Sequence, residues 1–307
     1  MIITLTNCNI YLVQNKHFLF MKILLIGHSI IDHILQRDID FIYPGGIFYS
    51  AVGMNQISSK NDEIYLVTGY KSAKYSLFEK LYSRLNIDLS HELEKLPEVY
   101  LKFSDGKERE ETYLNLSSQL SLDKISNLNS FDGILVNMIT GFDISIDQLS
   151  EIRKNFHGII YFDLHTLSRG IDENMNRVFR VVPNCESWLS NIDILQVNEN
   201  EFWTIKNANG EKILNVVFEN GVKILLLTKG ALGADAFFKN NEVITKINVE
   251  SKKIEVKNTI GCGDIFGAAF FYSYLCGENI KESLNIAVNT SGIFAGKTFE
   301  EKILEIK

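Results

Sequence analysis

The chain has 307 residues, 46% of them hydrophobic and 22% charged, enough to bury one large α/β core with at most a small appendage. Its 31 basic against 38 acidic residues leave a net charge of −7, which excludes a general nucleic-acid binder, whose footprint is a basic excess. No run reaches the roughly 18–20 apolar residues of a membrane span, so no membrane partner is expected.

Cys8, Cys185, Cys262 and Cys276 are scattered, without the close pairs of a zinc site or a secreted disulfide framework. A reducing cytoplasm is the expected compartment. Residues 1–20 have an apolar cast but neither a basic n-region nor a small-residue cleavage site. They read as an N-terminal extension, with Met21 opening a single domain over 21–307.

Short apolar runs of strand length recur at 23–26, 64–67, 133–136, 158–162, 194–197 and 223–228. They are near-continuous rather than alternating, as strands buried on both faces are. Helix-length segments lie between most of them, at 72–85, 146–155, 200–206 and 210–219. This alternation predicts a mostly parallel sheet with helices on both sides, and ligands gather beyond the carboxyl ends of such strands.

Two regions break the rhythm. Residues 99–103 and 110–116 flank Ser104-Asp105-Gly106-Lys107, a hairpin around an Asp-Gly turn, and 33–43 reads as further strand. Together these segments, near 33–43 and 98–116, make either a small β-sheet lid over a site or an ordinary surface hairpin. A second hairpin over 236–249 turns at Lys239-Asn240-Asn241, and two apolar helices follow at 264–275 and 280–296.

Between them stands Asn258-Thr259-Ile260-Gly261-Cys262-Gly263-Asp264. Glycines just before a helix let the backbone approach an anion, and the helix start offers unpaired N–H groups and a positive dipole end. Asp264 stands where a carboxylate takes a proton from a substrate hydroxyl. A lone Gly-x-Gly is often only a tight turn, but the threonine before it and the aspartate after it favour phosphoryl transfer.

That turn resembles the signature Asp-Thr-x-Gly-Ala-Gly-Asp of the PfkB/ribokinase family of carbohydrate kinases. Other blocks follow in the family's order: the strand at 22–27 with Asp32, Gly45-Gly46 before an apolar helix, Asn198-x-x-Glu201 after a strand, and Thr228-x-Gly230-x-x-Gly233. Taken singly, Asp32 reads as a loop carboxylate, Asn198 and Glu201 as a helix cap, and Thr228-x-Gly230 as strand punctuation. The ordered set, spanning about residues 22–296, carries the resemblance.

The resemblance implies a ribokinase-like three-layer α/β sandwich with a small β-sheet lid, using ATP and Mg2+. Asp264 would be the catalytic base, and the N–H groups of Gly261, Cys262 and Gly263 the anion hole. Asp32, Gly45, Gly46 and, at a strand end, Asp163 would face the acceptor. Asn198, Thr228, Gly230, Gly233 and Asn289 would border the nucleotide, with Glu201 near the metal. A homodimer through the lid is the assembly it implies. His165 reads as a satisfied loop histidine, and His28 and His33 lack metal-ligand support.

Three positions depart from the pattern: Asn258 replaces the usual aspartate, Cys262 the usual alanine and Ser50 the usual asparagine. The expected reaction is ATP-dependent phosphorylation of a hydroxyl on a small carbohydrate. Phe48 and Tyr49 leave a nucleoside acceptor open, and Asn258 with Ser50 motivates a non-catalytic ligand-binding member of the same fold. A nicotinamide-dependent dehydrogenase is a poor fit, because Gly27-His28-Ser29 lacks the early glycine spacing.

Overall fold

The computed structural model describes residues 20–36, 39–102, 110–206, 209–241 and 243–304. Its centre is an eight-stranded sheet. In chain order the strands are β1 (Lys22–Ile26), β4 (Glu63–Val67), β7 (Gly133–Asn137), β8 (Ile159–Asp163), β9 (Ile194–Asn198), β10 (Ile224–Thr228), β11 (Ala234–Asn240) and β12 (Val243–Val249). They lie in the order β12-β11-β10-β9-β8-β7-β1-β4. From β4 to β10 all neighbours pair in parallel, while β11 and β12 are antiparallel additions at one edge.

The apolar runs are continuous because each strand is buried on both faces. Leu24, Ile26, Ile134, Val136, Ile160, Phe162, Leu195 and Val197 pack into one core. The intervening Ile23, Leu25, Leu135, Tyr161 and Ile194 pack into the other. The first core holds α2 (Ile146–Asn155) and α4 (Gly210–Glu219), and the second holds α1 (Ile47–Ile57), α5 (Cys262–Leu275) and α6 (Ile280–Ala295). Gly53 permits close approach of α1 and α5, since a Cβ there would stand 2.9 Å from Ala268.

The segment read as one helix over 72–85 splits. A 3-10 turn covers Ser72–Leu77 and a short helix Glu79–Tyr82, because buried residues at helical spacing occur only at Phe78, Leu81 and Tyr82. The helix expected over 200–206 is only α3 (Glu199–Phe202), where Thr204 turns its hydroxyl back onto the Glu201 carbonyl at 2.6 Å.

A second sheet stands apart from the first. The described residues of 33–43 belong to two strands, β2 (Ser29–Gln36) and β3 (Ile39–Gly46), and beside them run β5 (Glu98–Lys102) and β6 (Glu110–Asn115). The order is β3-β2-β5-β6, with β2 and β5 parallel and the other pairs antiparallel. The Asp-Gly turn expected at 104–107 lies outside the described residues. Because β2 leaves β1 after only Gly27 and His28, and β3 runs straight into α1, this sheet is tied to the carboxyl end of the main one.

Candidate active site

The parallel strands end in polar residues on one rim: Asn137 on β7, Asp163 on β8, Asn198 on β9 and Thr228 on β10. The glycine turn faces that rim. Asn258 accepts the Ile260 N–H on its side-chain oxygen at 2.8 Å, and the Lys257 and Asn258 amides both donate to the Ala295 carbonyl. Gly261 adopts φ 78°, and a Cβ there would sit 2.4 Å from Tyr49, so only glycine fits.

Helix α5 begins at Cys262, two residues earlier than the sequence suggests, and places Asp264 in its first turn. The Cys262 N–H is spent on the Thr259 carbonyl at 3.2 Å. The turn therefore presents Gly261 and the helix start at Gly263, rather than Cys262, as its open donors. A Cβ on Gly263 would meet only the Gln196 amide at 3.7 Å, so nothing in the protein itself requires glycine there.

Asp264 is buried, and its Oδ1 accepts a hydrogen bond from Asn137 Nδ2 at 2.6 Å. The same amide donates to Ser50 Oγ at 3.2 Å, which links the carboxylate to α1. Asn137 Oδ1 is buried and has no partner among the described residues. Gln196 ties the neighbouring groups together, with Nε2 donating to Asp163 Oδ2 at 2.9 Å and to the Gly263 carbonyl at 3.1 Å. Tyr161 donates in turn to Gln196 Oε1. Burial, then the charges of Glu201 and Asp264, hold the Asp163 carboxyl well above the usual carboxylate range.

Asn198 and Glu201 form a reciprocal capping box at the start of α3, each side chain accepting the other's backbone N–H at 2.9 Å. Glu201 is buried, and its other oxygen meets Arg169 at 3.3 Å. Among the described residues no group of three or more His, Cys, Asp or Glu is arranged to hold a metal ion. The donor set nevertheless fits Mg2+, which keeps most of its waters and uses few protein ligands. Asp163, Glu201 and Asp264 crowd negative charge that a hard cation would relieve, and with both Glu201 oxygens engaged it would be met through water.

One cleft of about 1010 Å³ takes in Asp163, Asn198, Glu201, Thr228, Gly230, Gly233, Gly261, Cys262, Gly263 and Asp264. Away from the turn its walls mix the apolar Ala231, Ile254, Val256, Val288 and Ala295 with Ser251, Lys252, Lys253 and Ser291. Gly233 has φ 89°, and a Cβ there would strike the Val249 carbonyl at 2.0 Å, so its glycine shapes the strand start. His165 also lines the cleft but bonds its Nδ1 to Thr166 Oγ1 at 2.7 Å.

The other expected residues lie elsewhere. Asn289 is not among the lining residues and donates to the Asn285 carbonyl one helical turn back, while Val288, Ser291 and Gly292 of the same helix line the cleft. Asp32, Gly45 and Gly46 sit in the small sheet and do not line the cleft. Asp32 is buried against Gly45, where a Cβ would stand 2.2 Å from its Oδ2, and Gly46 caps α1 at φ 69°. Asn137, Gln196, Tyr161 and Arg169 escaped the sequence reading; the polar residue ending an apolar strand was the available signal for Asn137.

The mostly parallel sheet, the small second sheet and the glycine turn together define a ribokinase-like α/β fold. A family model described as pfkB family carbohydrate kinase matches residues 150–299. That match takes in just under half of the chain, including the glycine turn. The chain is 27% identical over 108 residues to a 5-dehydro-2-deoxygluconokinase of Bacillus subtilis (strain 168), covering 34% of this chain and 32% of that protein. The match thus spans about a third of that relative's length.

A solved pyrophosphate-dependent kinase of the ribokinase family, complexed with a pyrophosphate analog and myo-inositol, shares the fold with TM-score 0.74 and 16% identity. That likeness covers 93% of this chain and 100% of that one. Ribokinase of Arabidopsis thaliana, complexed with ribose and ATP, shares it with TM-score 0.71 and 16% identity, covering 94% and 99%.

Proposed function

We propose that the protein is a PfkB-type kinase that moves the γ-phosphoryl group of ATP to a hydroxyl of a small carbohydrate. The observation that carries this reading is Asp264, in the first turn of α5 beside Gly261 and Gly263, with its carboxylate held by Asn137. Asp264 takes the acceptor proton as transfer proceeds. The open amides of the turn stabilise charge growing on the transferred group, and fixed geometry supplies most of the catalysis. Asn137 Oδ1, without a partner among the described residues, suits a donating hydroxyl of the acceptor, and Asp32 with Gly45 and Gly46 would face that acceptor from the small sheet.

The donor reading rests on the shape of the cleft. Pyrophosphate would leave the apolar side chains of Ile254, Val256, Val288 and Ala295 without a partner, whereas an adenine base covers them and leaves Lys252 and Lys253 of the same wall to the phosphates. Asn198, Thr228, Gly230 and Gly233 border the phosphates and sugar. Mg2+, when bound, neutralises phosphate charge, with Asp163 nearby and Glu201 acting through water.

The small sheet acts as the lid and as the face through which two copies pair. Leu35, Ile42, Tyr100 and Leu114 stand exposed on it. Among the described residues Cys185, Cys262 and Cys276 form no disulfide, in keeping with the proposed cytoplasmic compartment.

The test is a panel of sugars, polyols and nucleosides assayed for phosphorylation with ATP and, separately, with pyrophosphate. Turnover of a sugar with ATP supports the proposal, turnover of a nucleoside moves the acceptor, and turnover only with pyrophosphate refutes the donor. No turnover with any pair would leave a ligand-binding protein on a kinase scaffold.

A further inference from the structure

The last described helix, α7 (Phe299–Leu304), carries a lysine with an unusual position. Lys302 is only 2% exposed, yet no carboxylate pairs with it among the described residues. Its Nζ donates to two backbone carbonyls, Asn258 O and Ile260 O, both at 2.9 Å. It also lies 4.2 Å from the centre of the Phe294 ring. Both carbonyls belong to the strand of backbone that enters the glycine turn.

A buried ammonium is costly, and an apolar side chain of the same length would fill the space at lower free energy. Burial indeed lowers the Lys302 amine to about 8, with Lys297 adding to the shift and the Cys262 thiol opposing it. What the charge does can be read from peptide geometry. The Ile260 carbonyl and the Gly261 N–H belong to one planar trans unit and point in opposite directions. Holding the carbonyl from behind aims the N–H outward, and a positive charge behind the turn adds to the positive end of α5.

The far side of α7 reaches the small sheet. Phe299 stacks on Tyr43 of β3 with ring centres 4.3 Å apart, and the Tyr43 hydroxyl donates to Glu300 at 2.9 Å. A single short helix therefore touches a lid strand with one face and the entry to the anion turn with another.

We propose that Lys302 is a positioning residue, a tethered cation that orders residues 258–263 for anion binding, with α7 connecting that turn to the lid. The inference rests on the phosphoryl-transfer reading and extends it to a residue outside the family-like blocks. It also gives a reason for Asn258: with an ammonium already beside its carbonyl, the turn is organised without the usual carboxylate.

The test compares the wild type with Lys302→Met, which keeps the apolar stem and removes the ammonium. Amide hydrogen exchange is followed over residues 258–264, and calorimetry measures binding of ATP and of inorganic pyrophosphate. Exchange should quicken and affinity for both anions should fall about fivefold to tenfold. Ammonium chloride should restore both in the variant, while sodium chloride at equal ionic strength should not, and the wild type should respond to neither. Unchanged exchange and affinity would overturn the proposal, as would a loss that ammonium does not relieve. Should Lys302→Met not fold, Lys302→Gln keeps a donor without the charge, and wild-type anion affinity in it would dismiss the charge as the cause. None of these readouts needs turnover, so a failed acceptor panel would count against the kinase reading alone.

Discussion

Asn137 and Asp264 meet across 127 positions of sequence, the amide of one donating to the carboxylate of the other at 2.6 Å. Asn137 closes strand β7 and Asp264 opens helix α5, so the bond locks the sheet rim to the glycine turn. Through Ser50, at 3.2 Å from the same amide, the first helix joins the contact. Replacing Asn137 by Ala frees the carboxylate to rotate without touching the donor pocket. Turnover should fall about tenfold to a hundredfold, as small misplacements of a reacting group do, with little change in the KM for ATP. Steady-state kinetics at saturating acceptor would decide it, and a rise in KM alone would show that Asn137 serves binding.

Asp264→Asn is nearly isosteric and still reaches Asn137, but it cannot take a proton. Phosphorylation should drop by about a hundredfold to ten-thousandfold, the usual worth of a positioned base. ATP binding by calorimetry should persist, because the phosphates are met by the turn and not by this carboxylate. Undiminished turnover would remove Asp264 from the chemistry.

The two glycines of the turn should behave differently. Gly261→Ala forces a Cβ to within 2.4 Å of Tyr49 and onto a backbone at φ 78°, so the protein should lose stability as well as activity. Gly263→Ala meets only the Gln196 amide at 3.7 Å and replaces glycine within a helix, where alanine is favoured by up to about 1 kcal/mol. That variant should melt no lower than wild type yet bind ATP poorly, because the added methyl stands where the phosphates approach. Thermal melts beside calorimetry separate the cases, and intact ATP affinity in Gly263→Ala would place the anion elsewhere.

Much of this architecture was legible because its causes are local. Strands buried on both faces read as continuous apolar runs, and the glycine turn announces itself by residue type and spacing. Asn137, Gln196 and Lys302 were not legible, for a shared reason. Each is a single polar residue whose role is set by partners tens of positions away or more, as in Lys302 with Asn258 and Ile260. Asn289 failed in the opposite way: its place in the family order suggested a contact, but its helix face turns Val288, Ser291 and Gly292 to the cleft instead. The Cys262 amide was miscounted because a turn hydrogen bond to Thr259 is invisible in a motif.

Asp163 offers a test that needs no acceptor. Its carboxyl lies well above the usual range because it is buried and faces Glu201 and Asp264. A carboxyl whose folded value is raised stabilises the protein most when protonated, below its unfolded value near 3.8. That contribution disappears as pH rises through the folded value. At neutral pH and above, the ionised group is therefore a cost of folding. Asp163→Asn keeps an acceptor for Gln196 and removes the charge, so its melting temperature should exceed that of wild type by a few degrees at pH 7–8. Toward acid pH the two curves should converge. Added Mg2+ should raise the wild-type melting temperature more than the variant's, since only the wild type has the full set of repelling carboxylates to relieve. Equal melting curves across pH, or equal responses to Mg2+, would show that the charge on Asp163 is already compensated within the protein.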